Sequence, residues 1–264
     1  MVTVAILDSG LAPNRPEFPN VLPGHNFSLI TRNPHWIKGM PNREFWMAPD
    51  PHDTTDDYGH GTHVAGIVVA NAPNVRILPV KVSNASGQST SGLIEAGIRF
   101  AIEQGAKVIN ISLGSPDVDS YADIVDYVEA SGVTLVCAAG NDGSLELYYP
   151  GASEYSISVG ALNHKGDRCS FSNHGKWVDC WTLGQSVDST VPNYPCPLWS
   201  KSGRRVLSGT SMAAPLITAF VAGLYESFPN NTPADIRSKM THYHFQPVTA
   251  VPISLPIPTK GVTT

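Results

Sequence analysis

A serine hydroxyl attacks a carbonyl only when a neighbouring base takes its proton, and that base needs a third group to fix its tautomer and stabilise its charged form. Three segments supply a carboxylate, an imidazole and a hydroxyl in that order: Asp8-Ser9-Gly10, His60-Gly61-Thr62-His63-Val64-Ala65-Gly66 and Gly209-Thr210-Ser211-Met212-Ala213-Ala214-Pro215. Asp8 closes an apolar run, where Asp-Ser-Gly by itself reads as a strand-ending turn. His60 opens a helical stretch of small apolar residues, and Gly59 and Gly61 leave room for a substrate chain beside it. Ser211 begins a helix, so its N–H has no partner within the helix and the helix dipole favours negative charge there. A developing oxyanion would be stabilised next to the atom under attack. A plain N-cap accounts for Thr210 or Ser211 alone but not for the seven-residue run. His63 is read as a structural hydrogen-bonder.

In the chain order Asp, His, Ser, these segments resemble the subtilisin-like serine proteases, or subtilases, over residues 2–240. The resemblance implies a serine endopeptidase with Asp8, His60 and Ser211 as catalytic triad. Asn141, in Ala138-Ala139-Gly140-Asn141-Asp142-Gly143, matches the family's second oxyanion donor. A polypeptide substrate is expected to bind in extended form by adding a strand to Ser112-Leu113-Gly114 and to Ser86-Gly87-Gln88. The first specificity pocket is expected between residues 112–114, the segment with Ala139 and Gly140, and residues 147–151. Two readings of that pocket stay open: Asp142 and Glu146 favour a basic residue, whereas Tyr148 favours a small one by filling the space. The chemistry requires no cofactor. A propeptide or protein inhibitor is a further candidate for the same groove, and the chain is expected to be a monomer.

The chain also departs from the family. Asn71-Ala72-Pro73-Asn74 joins the histidine helix directly to the next strand, so the loop of the family's tight calcium site is absent; structural calcium elsewhere stays open. Residues 24–58 form a longer segment than the family's, with Trp36, Phe45 and Trp46 among polar residues, read as a lid or partner surface. That insert implies the alternative of a dedicated maturation protease rather than a general degradative one. A peptide-binding module without turnover is the alternative of a different class, and the intact triad argues against it.

Continuous apolar runs at residues 2–7, 76–82, 108–113 and 133–138 read as strands covered on both faces; residues 60–70, 92–104 and 121–131 between them read as helices. The fold class expected is α/β: a doubly wound, mostly parallel β-sheet with helices on both faces and a site at the carboxyl ends of its strands. Shorter strands follow at residues 156–161 and 177–181, then a hairpin over 187–207 and helices over 211–228 and 232–240. Residues 1–246 form one peptidase domain, and the proline-rich residues 247–264 an extended tail or linker.

A formal net charge of −5 with no basic block excludes a nucleic-acid footprint. No apolar run reaches a membrane span, and the start of the chain does not read as a signal peptide. The four cysteines, Cys137, Cys169, Cys180 and Cys196, allow three pairings. The even count tilts localisation toward secretion. Cys137 reads as a buried thiol, and a disulfide through Cys180 or Cys196 stays open. Asp50, Asp53, Asp56 and Asp57 read as a solvated acidic loop, with a basic-residue preference or a cation site as the functional alternative. His242 and His244 read as surface residues, and the sequon at Asn110 as buried in a strand.

Overall fold

The computed structural model describes residues 1–28, 50–116 and 121–240. The bulk of the expected lid, with Trp36, Phe45 and Trp46, lies outside the described residues, as do His242, His244 and the tail. The apolar runs form strands whose residues are buried almost throughout: β1 (Thr3–Asp8), β3 (Arg76–Lys81), β4 (Val108–Ile111), β5 (Thr134–Ala138) and β6 (Ser156–Leu162). With β2 (His25–Asn26) and β7 (Cys180–Leu183) they make a seven-stranded sheet in the order β2-β3-β1-β4-β5-β6-β7, every pair parallel. The expected α/β class holds.

β2 has no counterpart in the sequence reading, being two residues long. β7 begins three residues later than expected because the Val178 N–H closes a turn on the Gly175 carbonyl. The hairpin is β8 (Val187–Thr190) against β9 (Arg204–Leu207).

Alternation along β1 divides the core in two. Val4 and Ile6 pack with α1 (His60–Asn71) and α4 (Thr210–Ser227), while Ala5 and Leu7 pack with α2 (Ser91–Glu103) and α3 (Ala122–Ser131). α2 is amphipathic, burying Leu93, Ile94, Gly97, Ile98 and Ala101, and Thr90 caps it by accepting the Leu93 N–H. α4 is apolar on nearly every side and lies enclosed between α1 and the sheet, as such a helix must. α5 (Pro233–Met240) closes the described chain, burying Ile236 and Met240. No described helix is long and apolar enough to cross a membrane.

All four cysteines are free thiols, so the disulfide left open through Cys180 or Cys196 is not formed. Cys137 and Cys180 sit in register with neighbouring positions of β6 from opposite sides. Two strand spacings, about 9.5 Å, exceed the reach of a disulfide. Cys137 behaves as read, a fully buried thiol.

Candidate active site

The chain leaves β1 toward β3 on one side and later toward β4 on the other, so the strand order reverses beside β1. The crevice at the carboxyl ends of β1 and β4 is where such sheets collect functional groups. Asp8 ends β1, and Ser112 follows β4. Helices α1 and α4 pack together and begin at this edge with His60 and Thr210-Ser211.

Asp8 is 1% exposed and takes the Ser9 N–H on Oδ1 at 2.8 Å. Both its oxygens face His60 Nδ1, at 2.8 and 2.9 Å. A carboxylate only accepts, so the ring proton sits on Nδ1 and Nε2 carries the free lone pair of a base. Burial pushes the His60 pKa down, but the charge and hydrogen bond of Asp8, with the charge of Asp56, outweigh it and hold the pKa above the ordinary value.

The start of α1 is fixed by a carboxylate that sequence reasoning assigned to a solvated loop. Asp56 is wholly buried and accepts five donors: Ser9 Oγ, the Tyr58 and Gly59 N–H groups, and the N–H and hydroxyl of Thr62, at 2.6 to 3.1 Å. Ser9 Oγ in turn accepts the Gly61 N–H at 2.9 Å, tying the end of β1 to the residue after His60. Asp50 and Asp53 are exposed, as the solvated-loop reading has it, and Asp57 is half-buried. Asp57 pairs with the buried Lys81, whose ammonium also donates to the Ser9 and Thr55 carbonyls; Asp50 and Asp53 accept N–H groups of their own turns. Among the described residues no group of three His, Cys, Asp or Glu is arranged to hold a metal ion. Only residues 72–75 join α1 to β3, too few for a loop of calcium ligands.

The β8–β9 loop braces the same segment. Tyr194 donates to the Asp56 carbonyl at 2.8 Å and the Leu198 N–H to the Tyr58 carbonyl at 2.9 Å. Gly59, at φ +104°, lies so close that a methyl there would stand 2.9 Å from Leu198 Cβ. His63 is structural as expected: burial pushes its pKa down to about 4, and its neutral ring donates from Nε2 to the Arg205 carbonyl at 3.0 Å.

Ser211 is 8% exposed at the first turn of α4. Pro215 lacks the N–H that would bond the carbonyl of Ser211, four residues back. That carbonyl instead accepts Ser112 Oγ at 3.1 Å; Ser112 Oγ accepts Asn110 Nδ2 at 3.0 Å, and Asn110 Oδ1 accepts Thr218 Oγ1 at 2.8 Å. Asn110 is fully buried, as its sequon reading required. Ser211 Oγ donates to the Ser112 carbonyl at 3.2 Å rather than to His60.

Asn141 is oriented by Thr210, whose N–H and hydroxyl both reach Oδ1, at 2.8 and 3.1 Å. The amide oxygen is thereby fixed and the NH2 group points away from Thr210. Thr210 Oγ1 also accepts the Gly140 N–H at 3.1 Å, locking the loop after β5 onto α4. A cleft of about 300 Å³ opens beside Ser211, bounded by Ser112, Leu113, Gly114, Gly140, Asn141 and Tyr148. Ala139 is buried behind that wall. Ser86 and Gly87 sit in a turn closed on Asn84, which takes the Ser86 and Gln88 N–H groups, rather than in an extended edge.

The profile of the subtilase family matches residues 1–250. The Cell wall-associated protease of Bacillus subtilis (strain 168) is 37% identical over 188 residues, 67% of this chain and 20% of its own length. The Major intracellular serine protease of the same organism is 35% identical over 241 residues, 84% of this chain and 67% of that one. The chain thus spans from a fifth to two thirds of these relatives. A crystal structure of a cold adapted subtilisin-like serine proteinase superposes with a TM-score of 0.75 at 27% identity, covering 91% of this chain and 81% of that one.

Proposed function

The chain belongs to the subtilase family of serine proteases, and we propose that it hydrolyses peptide bonds within polypeptides through an acyl-enzyme on Ser211. The observation that carries this reading is the Asp8–His60 pair at the end of β1, beside the strand β4 whose next residue, Ser112, takes the hydroxyl of a serine at the N-terminus of a buried helix. Ser211 Oγ attacks the scissile carbonyl carbon while His60 Nε2 takes its proton. The oxyanion forms within reach of the Ser211 N–H and Asn141 Nδ2, two donors already fixed by α4 and by Thr210. The tetrahedral intermediate collapses with release of the amine, which receives the proton from His60. Water then repeats the sequence with His60 as base and frees Ser211. Asp8 keeps Nδ1 protonated and stabilises the imidazolium at each protonated stage.

The substrate is an extended polypeptide laid along residues 112–114, and a propeptide or protein inhibitor would take the same groove. Each step draws only on side chains and backbone donors of this chain. Labelling by a fluorophosphonate tests the reading. The wild-type chain is expected to react and to cleave a peptide library, whereas Ser211→Ala abolishes labelling and reduces cleavage to a residual level; unchanged cleavage by Ser211→Ala overturns it. The same library separates general proteolysis, seen as a broad set of cut sites, from dedicated maturation, seen as one dominant sequence.

A further inference from the structure

We propose that Tyr148 forms the floor of the cleft beside Ser211 and restricts cleavage to bonds preceded by a small uncharged residue such as alanine, serine or glycine. The inference rests on the protease reading above and names its substrate class.

The side chain preceding the scissile bond must enter between residues 112–114 and the wall of Gly140 and Asn141, which bound the cleft with Ser211. The Tyr148 ring stands between those walls. A methyl group added at Gly140 would lie 3.0 Å from Tyr148 Cδ1 and 3.1 Å from Cγ, and one added at Gly114 would lie 3.7 Å from the same Cδ1. Gly140 has φ +99°, so glycine suits both the backbone there and the ring against it. A large side chain entering this space meets an aromatic face before it is buried.

Two attachments hold the ring. The next residue is bonded to the wall itself, Tyr149 N–H to the Ser115 carbonyl at 2.7 Å and Ser115 N–H to the Tyr149 carbonyl at 3.0 Å. At its far end the phenol donates to Asp142 Oδ2 at 2.5 Å, a charge-assisted bond. That bond pushes the phenol pKa up to about 12, so the donor persists throughout the pH range of serine-protease chemistry. The ring also works against a basic substrate residue. Asp142 is the carboxylate at this cleft, its Oδ2 already takes the phenol, and Glu146 does not line the cleft. A lysine or arginine stem meets the same ring as any other large side chain.

The test is kcat/KM for tetrapeptide anilides that differ only in the residue before the scissile bond: alanine, serine, leucine, phenylalanine and lysine. Alanine and serine are expected to exceed phenylalanine and lysine by about 10-fold or more, since misfit of even one methylene changes rates by roughly 10- to 200-fold. Tyr148→Ala should raise the phenylalanine-to-alanine ratio by about 100-fold. Tyr148→Phe keeps the ring and should keep the alanine preference. A wild-type preference for phenylalanine, leucine or lysine overturns the proposal, as does an unchanged ratio in Tyr148→Ala; the wild-type series decides alone if that variant does not fold. Cleavage with the wrong preference refutes this inference only, whereas no cleavage together with no fluorophosphonate labelling refutes both it and the protease reading.

Discussion

Replacing Asp56 by asparagine tests how the start of the histidine helix is held. The asparagine NH2 must occupy one of two oxygen positions: Oδ1, which faces Ser9 Oγ and the Tyr58 and Gly59 N–H groups, or Oδ2, which faces the Thr62 N–H and hydroxyl. The second is cheaper, because the Thr62 hydroxyl can rotate and accept, which leaves the Thr62 N–H as the one backbone donor orphaned and the hydroxyl proton to find another acceptor. One orphaned buried donor costs about 1–3 kcal/mol, and the remaining bonds lose their charge assistance. The expected loss is about 3 kcal/mol, or roughly 9 °C in Tm for a domain of this size. Asp56→Ala strands five donors and should reach about 4 kcal/mol or more, the range kept for broken buried networks.

Urea unfolding in a Ser211→Ala background, which prevents self-digestion, measures both stability losses. In the active form, Asp56→Asn should lower kcat more than it raises KM, because Asp56 holds the helix of His60 while the substrate wall follows β4. Stability losses within about 0.5 kcal/mol, as at surface sites, would refute the reasoning.

Two further outcomes follow from the histidines. Asp8→Asn presents an amide to Nδ1 and favours the wrong tautomer, so kcat should fall by about 10⁴. Since a neutral His60 is the base and Asp8 holds its pKa up, the acid limb of kcat/KM should also move to lower pH; a limb that stays or rises contradicts the electrostatics. His63, with its pKa pushed from 6.5 down to about 4 by burial, takes up a proton more readily when unfolded. Its contribution is therefore present above about pH 6.5 and is lost as pH falls toward 4, about 3 kcal/mol in all. His63→Gln, which keeps a donor for the Arg205 carbonyl, should flatten that part of the stability profile, and an equally steep acid loss in the variant would exclude His63 as its source.

What the sequence reveals and what it hides follow from how far each interaction reaches. The central strands are legible because burial on both faces leaves an unbroken apolar run, and α4 because an enclosed helix is apolar all round. The candidate triad is legible because each member lies in a segment whose neighbours also matter: the glycines beside His60 and the small residues after Ser211 leave room for close packing. Asp56 was misread because four nearby acidic residues look alike in sequence, and only the fold brings Ser9 to it from 47 positions away. The cysteine count was silent for a related reason, since an even number says nothing about which strands separate the thiols, as β6 separates Cys137 from Cys180. Pro215 did carry a usable signal: a proline there removes the partner of the Ser211 carbonyl, so a buried donor had to be supplied from elsewhere. Ser112 supplies it, 99 positions away, and that makes the same residue both a wall of the substrate cleft and a brace for the serine at its edge. A substitution at Ser112 therefore disturbs substrate placement and nucleophile placement together, a coupling that no reading of either segment alone contains.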